Sequence, residues 1–352
     1  MTPPVEALSP ASTAVATATA TAGTRKRRRS LRSNTTPPLQ TPINNSNPNP
    51  GWTPLPLFPG DLSLPLTFPT GQTFLWKQTS ASPLRFTGPV GPHLISLSTT
   101  PNPNELSYLL HSSHSLPHLA ASSLLSFLNY SIDLSRIWEE FSAVDPRFSR
   151  LLVYLRGARV LRQDPVECLF QFLCSSNNNI ARITKMVDYL ASLGRKLGSV
   201  GGYDFYEFPS LECLAEVSEE ELRAAGFGYR AKYIVKAVEV LQSKPGGGAA
   251  WLESLRELDL QDVIDALCTL PGVGGKVAAC VALFSLDQHH AVPVDTHVWQ
   301  IGTRDLLPEL AGAKMSPKLC SRVADAFESV LLHMSDDCIQ GWVMPFFIHE
   351  LM

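Results

Sequence analysis

Residues 270–299 read LPGVGGKVAACVALFSLDQHHAVPVDTHVW, and the architecture of the chain is clearest in this segment. Its first part, LPGVGGK, separates a helix that ends near Cys268 from an apolar helix that begins near Lys276. Gly272 and Gly274 predict a tight turn whose backbone N–H groups have no partners within a helix, and such groups attract phosphate. The segment therefore predicts a helix-hairpin-helix at about 260–286, which either binds a phosphate or simply connects two helices.

Two polar side chains near this hairpin are candidates for chemistry. Lys276 opens the second helix, whose other face is apolar through Val277, Cys280 and Phe284. Partial desolvation beside a helix terminus favours release of the amine proton, which a lysine nucleophile requires. Asp295 precedes a further amphipathic helix, where its carboxylate can act as an N-cap or can stabilise positive charge on a reacting group.

The net charge of −3 combines two different regions of the chain. Residues 1–50 hold six basic residues and one acid, a charge of +5, so the other 302 residues carry 23 basic and 31 acidic residues, a charge of −8. An acidic body argues against nucleic-acid binding through bulk positive charge. It is compatible with a local site in which backbone amides hold a phosphate.

Composition excludes several classes of protein. The longest apolar run near the middle of the chain, Val277 to Phe284, has eight residues. Because a bilayer span needs roughly 18, we expect no membrane segment, and we also expect no secretory signal. The seven cysteines are an odd number and form no C-x-x-C pair. We therefore expect an intracellular protein with no disulfide framework, no zinc site and no iron–sulfur cluster.

Residues 1–50 are rich in Ala, Thr, Ser, Pro and Asn and hold almost no large apolar side chains, so we expect a disordered tail. Within it, residues 24–33 read TRKRRRSLRS. Such a basic block favours nuclear import or an arm that binds nucleic acid. An Arg-rich, acid-poor leader is also typical of an organellar transit peptide. The nucleus is therefore the expected destination, with a mitochondrion or another organelle as the alternative.

The part of the chain that follows the tail begins with patterns typical of strands. The runs TFLWKQ (73–78), PLRFTG (83–88) and HLISLS (93–98) predict strands of an antiparallel sheet. After about Asn104 the pattern becomes helical and stays so.

Helix start signals dominate the second half of the chain. We expect an N-terminal α+β domain at 51–150 and a helical domain at 151–352. Asp164, followed by a proline, predicts a capped helix that runs to about Cys174. Ser218 with Glu221 predicts a capping box, and Asp259 with Asp262 predicts another helix start. A buried helical stripe is predicted at Ile180, Ile183, Val187 and Leu190.

Four separated motifs resemble one family of DNA repair enzymes. They are PTGQTFLW (69–76), QDPVECLFQFLCSSNNNIARIT (163–184), GFGYRAKY (226–233) and the segment 270–299. The last resembles the helix-hairpin-helix–Gly/Pro–Asp element of DNA glycosylases, and the set resembles the eukaryotic 8-oxoguanine DNA glycosylase/AP lyases. The likeness runs from about residue 60 to 343. It implies an α+β protein in which an N-terminal antiparallel β-sheet domain precedes a mostly helical helix-hairpin-helix glycosylase domain.

The resemblance implies a bifunctional, monomeric enzyme of base-excision repair that acts on double-stranded DNA containing 8-oxoguanine opposite cytosine. In the family, the lysine that matches Lys276 attacks the sugar C1′ as the damaged base leaves. The resulting Schiff base undergoes β-elimination, which cleaves the strand. The aspartate that matches Asp295 stabilises the positive charge that develops on the sugar. Both roles agree with the chemistry of an amine and a carboxylate, and this catalysis requires no cofactor.

The resemblance also assigns contacts to DNA. Tyr229 would wedge into the space that the extruded base leaves. Asn177, Arg182 and Arg230 would read the orphaned cytosine, and His297 would contact the 5′ phosphate. Taken singly, Asn177 is typical of a polar turn, Arg182 of a solvated helix face and His297 of a structural histidine.

The base pocket departs from the family at its C-terminal end. Gly71 would accept the N7 hydrogen of 8-oxoguanine through its carbonyl, and Cys280 would stack on the flipped base, although a turn glycine and a core thiol are the plainer interpretations. A family glutamine that reads the Watson–Crick edge of the base is Met344 here, and a methionine cannot form the paired hydrogen bonds of an amide. The base-stacking phenylalanine falls on Phe347 if one residue is deleted, or on Ile348 without a gap.

A structural cation and two rival functions complete the expectations. The carbonyls of Cys268, Leu270 and Val273 would hold a monovalent or divalent ion beside the DNA phosphate. One rival is a glycosylase of the same superfamily for another damaged base. The other is a non-catalytic helix-hairpin-helix DNA-binding protein, which the divergent C-terminal pocket suggests and the presence of both Lys276 and Asp295 opposes.

Overall fold

The computed structural model of the protein describes residues 51–57, 60–100, 102, 105–111, 116–144 and 146–331. The predictions for the basic tail, Met344 and Phe347 lie outside these residues. Within them, no helix has both the length and the apolar character that a membrane crossing requires.

A five-stranded antiparallel sheet forms the N-terminal part, in the order β1-β5-β4-β3-β2. The strands are β1 (Trp52–Pro54), β2 (Lys77–Ala81), β3 (Leu84–Val90), β4 (His93–Thr99) and β5 (Leu106–Leu110). Between β1 and β2 lie the short helix α1 (Leu64–Thr67) and a 3₁₀ turn (Phe68–Thr70). Two of the three predicted strands are therefore confirmed, with small changes at their ends.

The predicted strand at 73–78 is wrong for most of its length, because pairing begins only at Lys77. Phe74 and Leu75 are buried at successive positions, as no half-buried strand allows. The backbone N–H of Phe74 donates to the Gln171 side chain at 2.8 Å rather than to a neighbouring strand.

The expectation of helix throughout the chain after Asn104 is also wrong. Residues 106–110 form β5, which pairs with β4 and β1. A run of five residues is too short for its periodicity to separate strand from helix. A second sheet, the hairpin of β6 (Lys196–Val200) and β7 (Tyr203–Tyr206), interrupts the helices. Its turn uses Gly201 and Gly202 at φ +59° and +84°, the conformation that a tight two-residue hairpin requires.

Helices account for most of the remaining described residues, so the expected class, a sheet domain followed by a mostly helical domain, is confirmed. The helices before the second sheet are α2 (Pro117–Phe127), α3 (Leu134–Val144), α4 (Pro146–Leu155), α5 (Pro165–Leu173) and α6 (Ile180–Ser192). Those after it are α7 (Leu211–Ala215), α8 (Glu219–Ala224), α9 (Arg230–Gln242), α10 (Gly248–Ser254), α11 (Leu260–Cys268), α12 (Gly275–Ser285), α13 (Thr296–Asp305) and α14 (Pro317–Leu331).

Local capping explains where several helices begin. Asp164 accepts hydrogen bonds from the backbone N–H groups of Val166 and Glu167 at 2.9 and 3.0 Å, which confirms the predicted start of α5. Ser218 and Glu221 form both halves of the capping box at α8. These bonds satisfy N–H groups that a helix start leaves without intrahelical partners.

The predicted buried stripe of α6 is correct except at its first residue. Ile183, Val187 and Leu190 are buried, whereas Ile180 is 54% exposed. Ile180 is the first residue of α6, after the N-cap Asn179, so its side chain lies at the end of the helix rather than over the core. Helical spacing identifies a face, but it does not show where that face extends beyond the packing partner.

Each half of the described structure has its own buried packing. Phe68, Trp76, Phe86 and Phe127 form a stacked aromatic group between the sheet and α2. In the helical part, α5 packs on α12, whose residues from Val277 to Ser285 are all buried. This packing brings the middle of α5 against the helix that begins beside Lys276.

Candidate active site

Lys276 lies in the first turn of α12, immediately after the hairpin that joins α11 to α12. The side chain is half-buried. Its amine lies 5.1 Å from the centre of the Phe172 ring, which in turn stacks on Phe284 with centroids 5.5 Å apart. A cation at this distance from an aromatic face is attracted by the ring, so Phe172 helps to hold the amine in place. The sequence analysis did not identify Phe172, although it lies within the motif at 163–184.

Cys280 lies one turn after Lys276 and is 3% exposed. Burial raises the pKa of its thiol, while a hydrogen bond and the charge of Lys276 oppose that rise and the charge of Asp295 adds to it. The charges of Lys276 and Asp295 therefore both act on this thiol. Lys276, Cys280 and Asp295 therefore lie in the same region of the structure.

Asp295 is the N-cap of α13, and its carboxylate accepts from the N–H groups of His297 and Val298 at 2.9 and 3.0 Å. The predicted capping role is thus confirmed. The residue is half-buried, and His297 next to it is exposed. Both bonds go to one carboxylate oxygen, so capping does not use the second oxygen.

The hairpin contains glycines of two different kinds. Gly272 has φ +84°, and a Cβ added there would come within 2.7 Å of Tyr233. Gly274 is the N-cap of α12 at an ordinary φ of −108°, is exposed, and has no atom within 4 Å of an added Cβ. The fold of the hairpin therefore requires a glycine at position 272. Gly274 has no side chain, so a ligand can approach its backbone N–H closely.

A second cluster surrounds the turn before α6. Asn177 has φ +46°, and Arg230, only 2% exposed, donates from its guanidinium to the carbonyls of Ser176 and Asn177. The hydroxyl of Tyr229 donates to the same Ser176 carbonyl at 3.0 Å, and its ring lies under the Arg230 guanidinium at 4.7 Å. Tyr229 is 47% exposed. The exposed Arg182 donates to the Gly226 carbonyl at 3.0 Å, so the four residues predicted to fill the gap and read the cytosine lie around one turn.

Tyr233 joins these two regions, and the sequence analysis did not identify it. Its ring meets the ring of Tyr229 edge to face, with centroids 5.9 Å apart and planes at 79°. Its Cβ and Cγ lie against Gly272. The spacing of four residues from Tyr229 on a helix is the signal that would have indicated the pair.

Gly71 follows the 3₁₀ turn at φ +80°, a conformation that favours glycine. The methyl end of Ile180 lies 4.0 Å from where its Cβ would be, which places the turn beside the start of α6. Phe74, three residues later, meets Phe172 edge to face at 6.2 Å. The segment that follows Gly71 and the Lys276 amine therefore both contact Phe172, near the end of α5.

The three carbonyls predicted to hold a cation lie in and beside the hairpin. The Leu270 carbonyl accepts from the Val273 N–H at 3.1 Å, which leaves one of its lone pairs for an ion. Backbone carbonyls are ligands that hard cations accept. Within the part of the chain that the structure describes, no group of three or more His, Cys, Asp or Glu side chains is arranged to hold a metal ion.

Comparisons with known proteins agree with this arrangement. Residues 55–169 match the family model of the 8-oxoguanine DNA glycosylase N-terminal domain, and residues 170–324 match that of the HhH-GPD superfamily of base excision DNA repair proteins. The chain is 59% identical over 307 residues to the N-glycosylase/DNA lyase OGG1 of Arabidopsis thaliana, covering 85% of this chain and 83% of that protein. It is 36% identical over 191 residues to the N-glycosylase/DNA lyase of Saccharomyces cerevisiae, covering 52% and 50%.

Solved structures share the fold. The Clostridium acetobutylicum 8-oxoguanine glycosylase/lyase, crystallised with double-stranded DNA that contains cytosine opposite 8-oxoG, superposes with a TM-score of 0.68 at 24% identity over 82% of this chain and 91% of that chain. MBOgg1 in complex with a low-affinity DNA ligand superposes with a TM-score of 0.70 at 24% identity over 86% and 96%. Taken with the family models and the Arabidopsis relative, the Lys276 hairpin shows that the chain belongs to the 8-oxoguanine DNA glycosylase family of helix-hairpin-helix base excision repair proteins.

Proposed function

We propose that this protein excises 8-oxoguanine opposite cytosine from duplex DNA and cleaves the resulting abasic strand. The observation that carries the proposal is Lys276, half-buried in the first turn of α12 directly after a glycine hairpin, with its amine against the Phe172 ring. A half-buried amine next to exposed backbone N–H groups that can bind phosphate suits attack on a sugar whose own phosphates are held there.

In the proposed reaction, the Lys276 amine bonds to the sugar C1′ while the bond from C1′ to the base breaks and the base leaves with the electron pair. The amine then loses a proton and the sugar ring opens, which gives an imine. Removal of a C2′ proton breaks the C3′–O bond, so the strand is cut by β-elimination. Asp295 stabilises the positive charge on the sugar in the first step. These steps use only protein groups and DNA, so catalysis needs no cofactor.

The Tyr229 cluster is the proposed partner of the opposite strand. An extruded base leaves a gap in the duplex, and the exposed Tyr229 ring can fill it. Asn177 and Arg182 would meet the orphaned cytosine, and Arg230 would read it while bracing the turn through the carbonyls of Ser176 and Asn177. These contacts would make excision depend on the base opposite the lesion.

The base itself is proposed to lie between Gly71 and Cys280. The Gly71 carbonyl accepts the N7 hydrogen that 8-oxoguanine carries and guanine lacks, and one hydrogen bond in a dry pocket is worth roughly 1–3 kcal/mol. Phe347 belongs to the same proposal as the stacking residue. Met344 stands where the family has an amide, so the Watson–Crick edge of the base must be recognised without that amide.

Further parts of the proposal concern the hairpin and the whole chain. Gly272, Gly274 and His297 would hold the DNA backbone, and a structural cation would bridge a phosphate to the carbonyls of Cys268, Leu270 and Val273. The proposed domains are 51–150 and 151–352, preceded by the basic tail. We further propose that the protein acts as a monomer and that the basic tail directs it to the nucleus.

Borohydride trapping on a duplex with a single 8-oxoguanine opposite cytosine tests the proposed function, because borohydride reduces the imine to a stable amine. We expect a covalent protein–DNA adduct that is absent in Lys276→Gln and retained in Lys196→Gln, a lysine exposed on the β6–β7 hairpin. DNA binding without any trapped species would contradict the lyase mechanism and favour a DNA-binding scaffold. Duplexes with methylated purines, hypoxanthine and oxidised pyrimidines test the rival substrates.

A further inference from the structure

The turn that carries Gly71 is held by the residue that follows it. Gln72 is 2% exposed, and its side-chain amide donates to the carbonyls of Thr67 and Arg159 at 2.8 and 2.9 Å. The same side chain accepts from the N–H of Leu161 at 2.9 Å. Gln72 is therefore anchored on both its donor and its acceptor side, directly next to the glycine.

Two buried glutamines hold the backbone after Gly71. Gln163 donates from its amide to the Gln72 carbonyl at 2.6 Å, and Gln171 accepts from the Phe74 N–H at 2.8 Å. The two amides also bond to each other, from Gln171 to the Gln163 oxygen at 3.3 Å. Gln163 is 2% exposed and Gln171 is fully buried, so these bonds do not compete with water.

The same pair is bonded to the helices of the active site. The backbone N–H of Gln163 donates to the Phe284 carbonyl at 2.7 Å, near the end of the helix that begins beside Lys276. The second N–H of the Gln171 amide donates to Glu167 at 2.9 Å, and Gln171 precedes Phe172, whose ring contacts Lys276. An amide has two donors and one acceptor, and Gln171 uses all three.

We propose that Gln163 and Gln171 are positioning residues for base recognition, which fix the direction of the Gly71 carbonyl relative to Lys276. A glycine at φ +80° has no side chain to hold it there, so its conformation depends on the bonds of its neighbours. A misplacement of about 1 Å in such a contact is enough to slow a reaction. The inference rests on the proposed role of Gly71 as the acceptor for the damaged base.

Two reactions of the enzyme separate this role from a general structural one. Excision of 8-oxoguanine needs the Gly71 carbonyl, whereas strand cleavage at a preformed abasic site needs Lys276 but has no base to recognise. For Gln163→Met and Gln171→Met, we expect single-turnover excision to fall by about tenfold or more, because a buried hydrogen bond to the turn is lost. We expect abasic cleavage to stay within about threefold, because the lysine is unchanged. The preference for binding an 8-oxoguanine:cytosine duplex over a guanine:cytosine duplex should fall in parallel.

Gln288→Met is the matched control. Gln288 is also a buried glutamine whose side-chain amide donates to a backbone carbonyl, but the acceptor is Leu258, at 3.0 Å, rather than a residue of the Gly71 turn. We expect this variant to lower both reactions equally or neither. Gln163→Glu provides a second test if methionine weakens the core, since it keeps the shape and the acceptor for Gln171 yet, when ionised, loses the donor to the Gln72 carbonyl.

A parallel loss of excision and abasic cleavage at an unchanged melting temperature would overturn the positioning role, as would unchanged excision in Gln163→Met. Failure of the wild-type protein to cleave abasic DNA would instead contradict the proposed function itself. A wild-type enzyme that cleaves abasic DNA and binds both duplexes equally well would contradict the recognition role of Gly71.

Discussion

Tyr233 lies directly against Gly272, so that a Cβ added to the glycine would come within 2.7 Å of Tyr233 Cβ and 2.8 Å of Cγ. The ring of the same tyrosine meets the ring of Tyr229 edge to face. One side chain therefore connects the hairpin proposed to hold phosphate with the residue proposed to enter the duplex. The proposed phosphate site at the hairpin and the proposed wedge Tyr229 are therefore connected by the packing of one side chain.

Replacing this tyrosine should weaken DNA binding more than chemistry. We expect Tyr233→Leu to raise the enzyme concentration that gives half-maximal single-turnover excision by roughly fivefold, since an aromatic pair contributes about 0.5–1.5 kcal/mol. The rate at saturating enzyme should change little. Tyr203→Leu, at a 45% exposed tyrosine on β7, is the control. An equal effect of the two substitutions would contradict the coupling.

The two hairpin glycines should respond differently to alanine. Gly272→Ala should destabilise the protein by at least about 1–2 kcal/mol, because its φ of +84° is unfavourable for alanine and its Cβ would meet Tyr233. Gly274→Ala should leave the free energy of unfolding within about 0.5 kcal/mol but weaken binding to abasic DNA, because the new methyl group occupies the path of the phosphate. Urea unfolding and DNA titration measure the two effects. Equal destabilisation by both alanines would refute this distinction.

Asp295 combines a structural and a chemical role that substitution can separate. Asparagine caps a helix about as well as aspartate, so Asp295→Asn should change the melting temperature little. The loss of charge should slow single-turnover excision by about 100-fold or more. Asp295→Ala should lower both quantities, because it also removes the bonds to the N–H groups of His297 and Val298. A normal excision rate in Asp295→Asn would exclude charge stabilisation.

Glu167 should make stability depend on pH. Burial, with a smaller contribution from the charge of Asp164, raises the pKa of its carboxyl from 4.5 to about 8. The folded protein then keeps a proton that the unfolded chain releases above about pH 4.5. The stabilisation from this proton is fully present below pH 4.5 and is lost as pH rises through about 8, by at most about 1.4 kcal/mol per unit.

Urea unfolding at pH 5, 6.5 and 8 checks the sign of this effect. The stability of Glu167→Gln relative to wild type should increase with pH, because glutamine keeps the bond to Gln171 without ionising. The matched substitution Glu239→Gln, on the exposed face of α9, should not alter the slope. A pH-independent difference between Glu167→Gln and wild type would show that Glu167 does not hold its proton in the folded state.

The basic tail should affect binding but not chemistry. Deleting residues 1–50 removes six basic residues and one acid. We expect the deletion to reduce the dependence of DNA affinity on salt, because fewer counterions are released on binding. Single-turnover excision at saturating enzyme should be unchanged. A loss of that rate would show that the tail takes part in catalysis.

Local signals in the sequence were sufficient for the hairpin and for several helix boundaries. Asp164, Ser218 and Asp295 cap the helices that follow them, because capping bonds join residues only two or three positions apart. The same local information placed Lys276 in the first turn of an apolar helix. The family motifs then indicated the reaction, since each motif is contiguous in the chain.

Strand boundaries and exposure depended on more distant partners. The segment at 73–76 alternates poorly and becomes buried coil because Gln171, 97 residues away, takes the backbone N–H of Phe74. Residues 106–110 become a strand because β4 and β1 pair with them. No periodicity within five residues can report such pairing.

By itself, the sequence determined the helix-hairpin-helix, its lysine and its capping aspartate, because each depends on neighbours along the chain. Only the tertiary structure decided that Phe172 holds the Lys276 amine, that Tyr233 joins Tyr229 to Gly272, and that two glutamines anchor the Gly71 turn. Such contacts form when packing closes long loops and buries polar groups, which then must find partners wherever the fold places them.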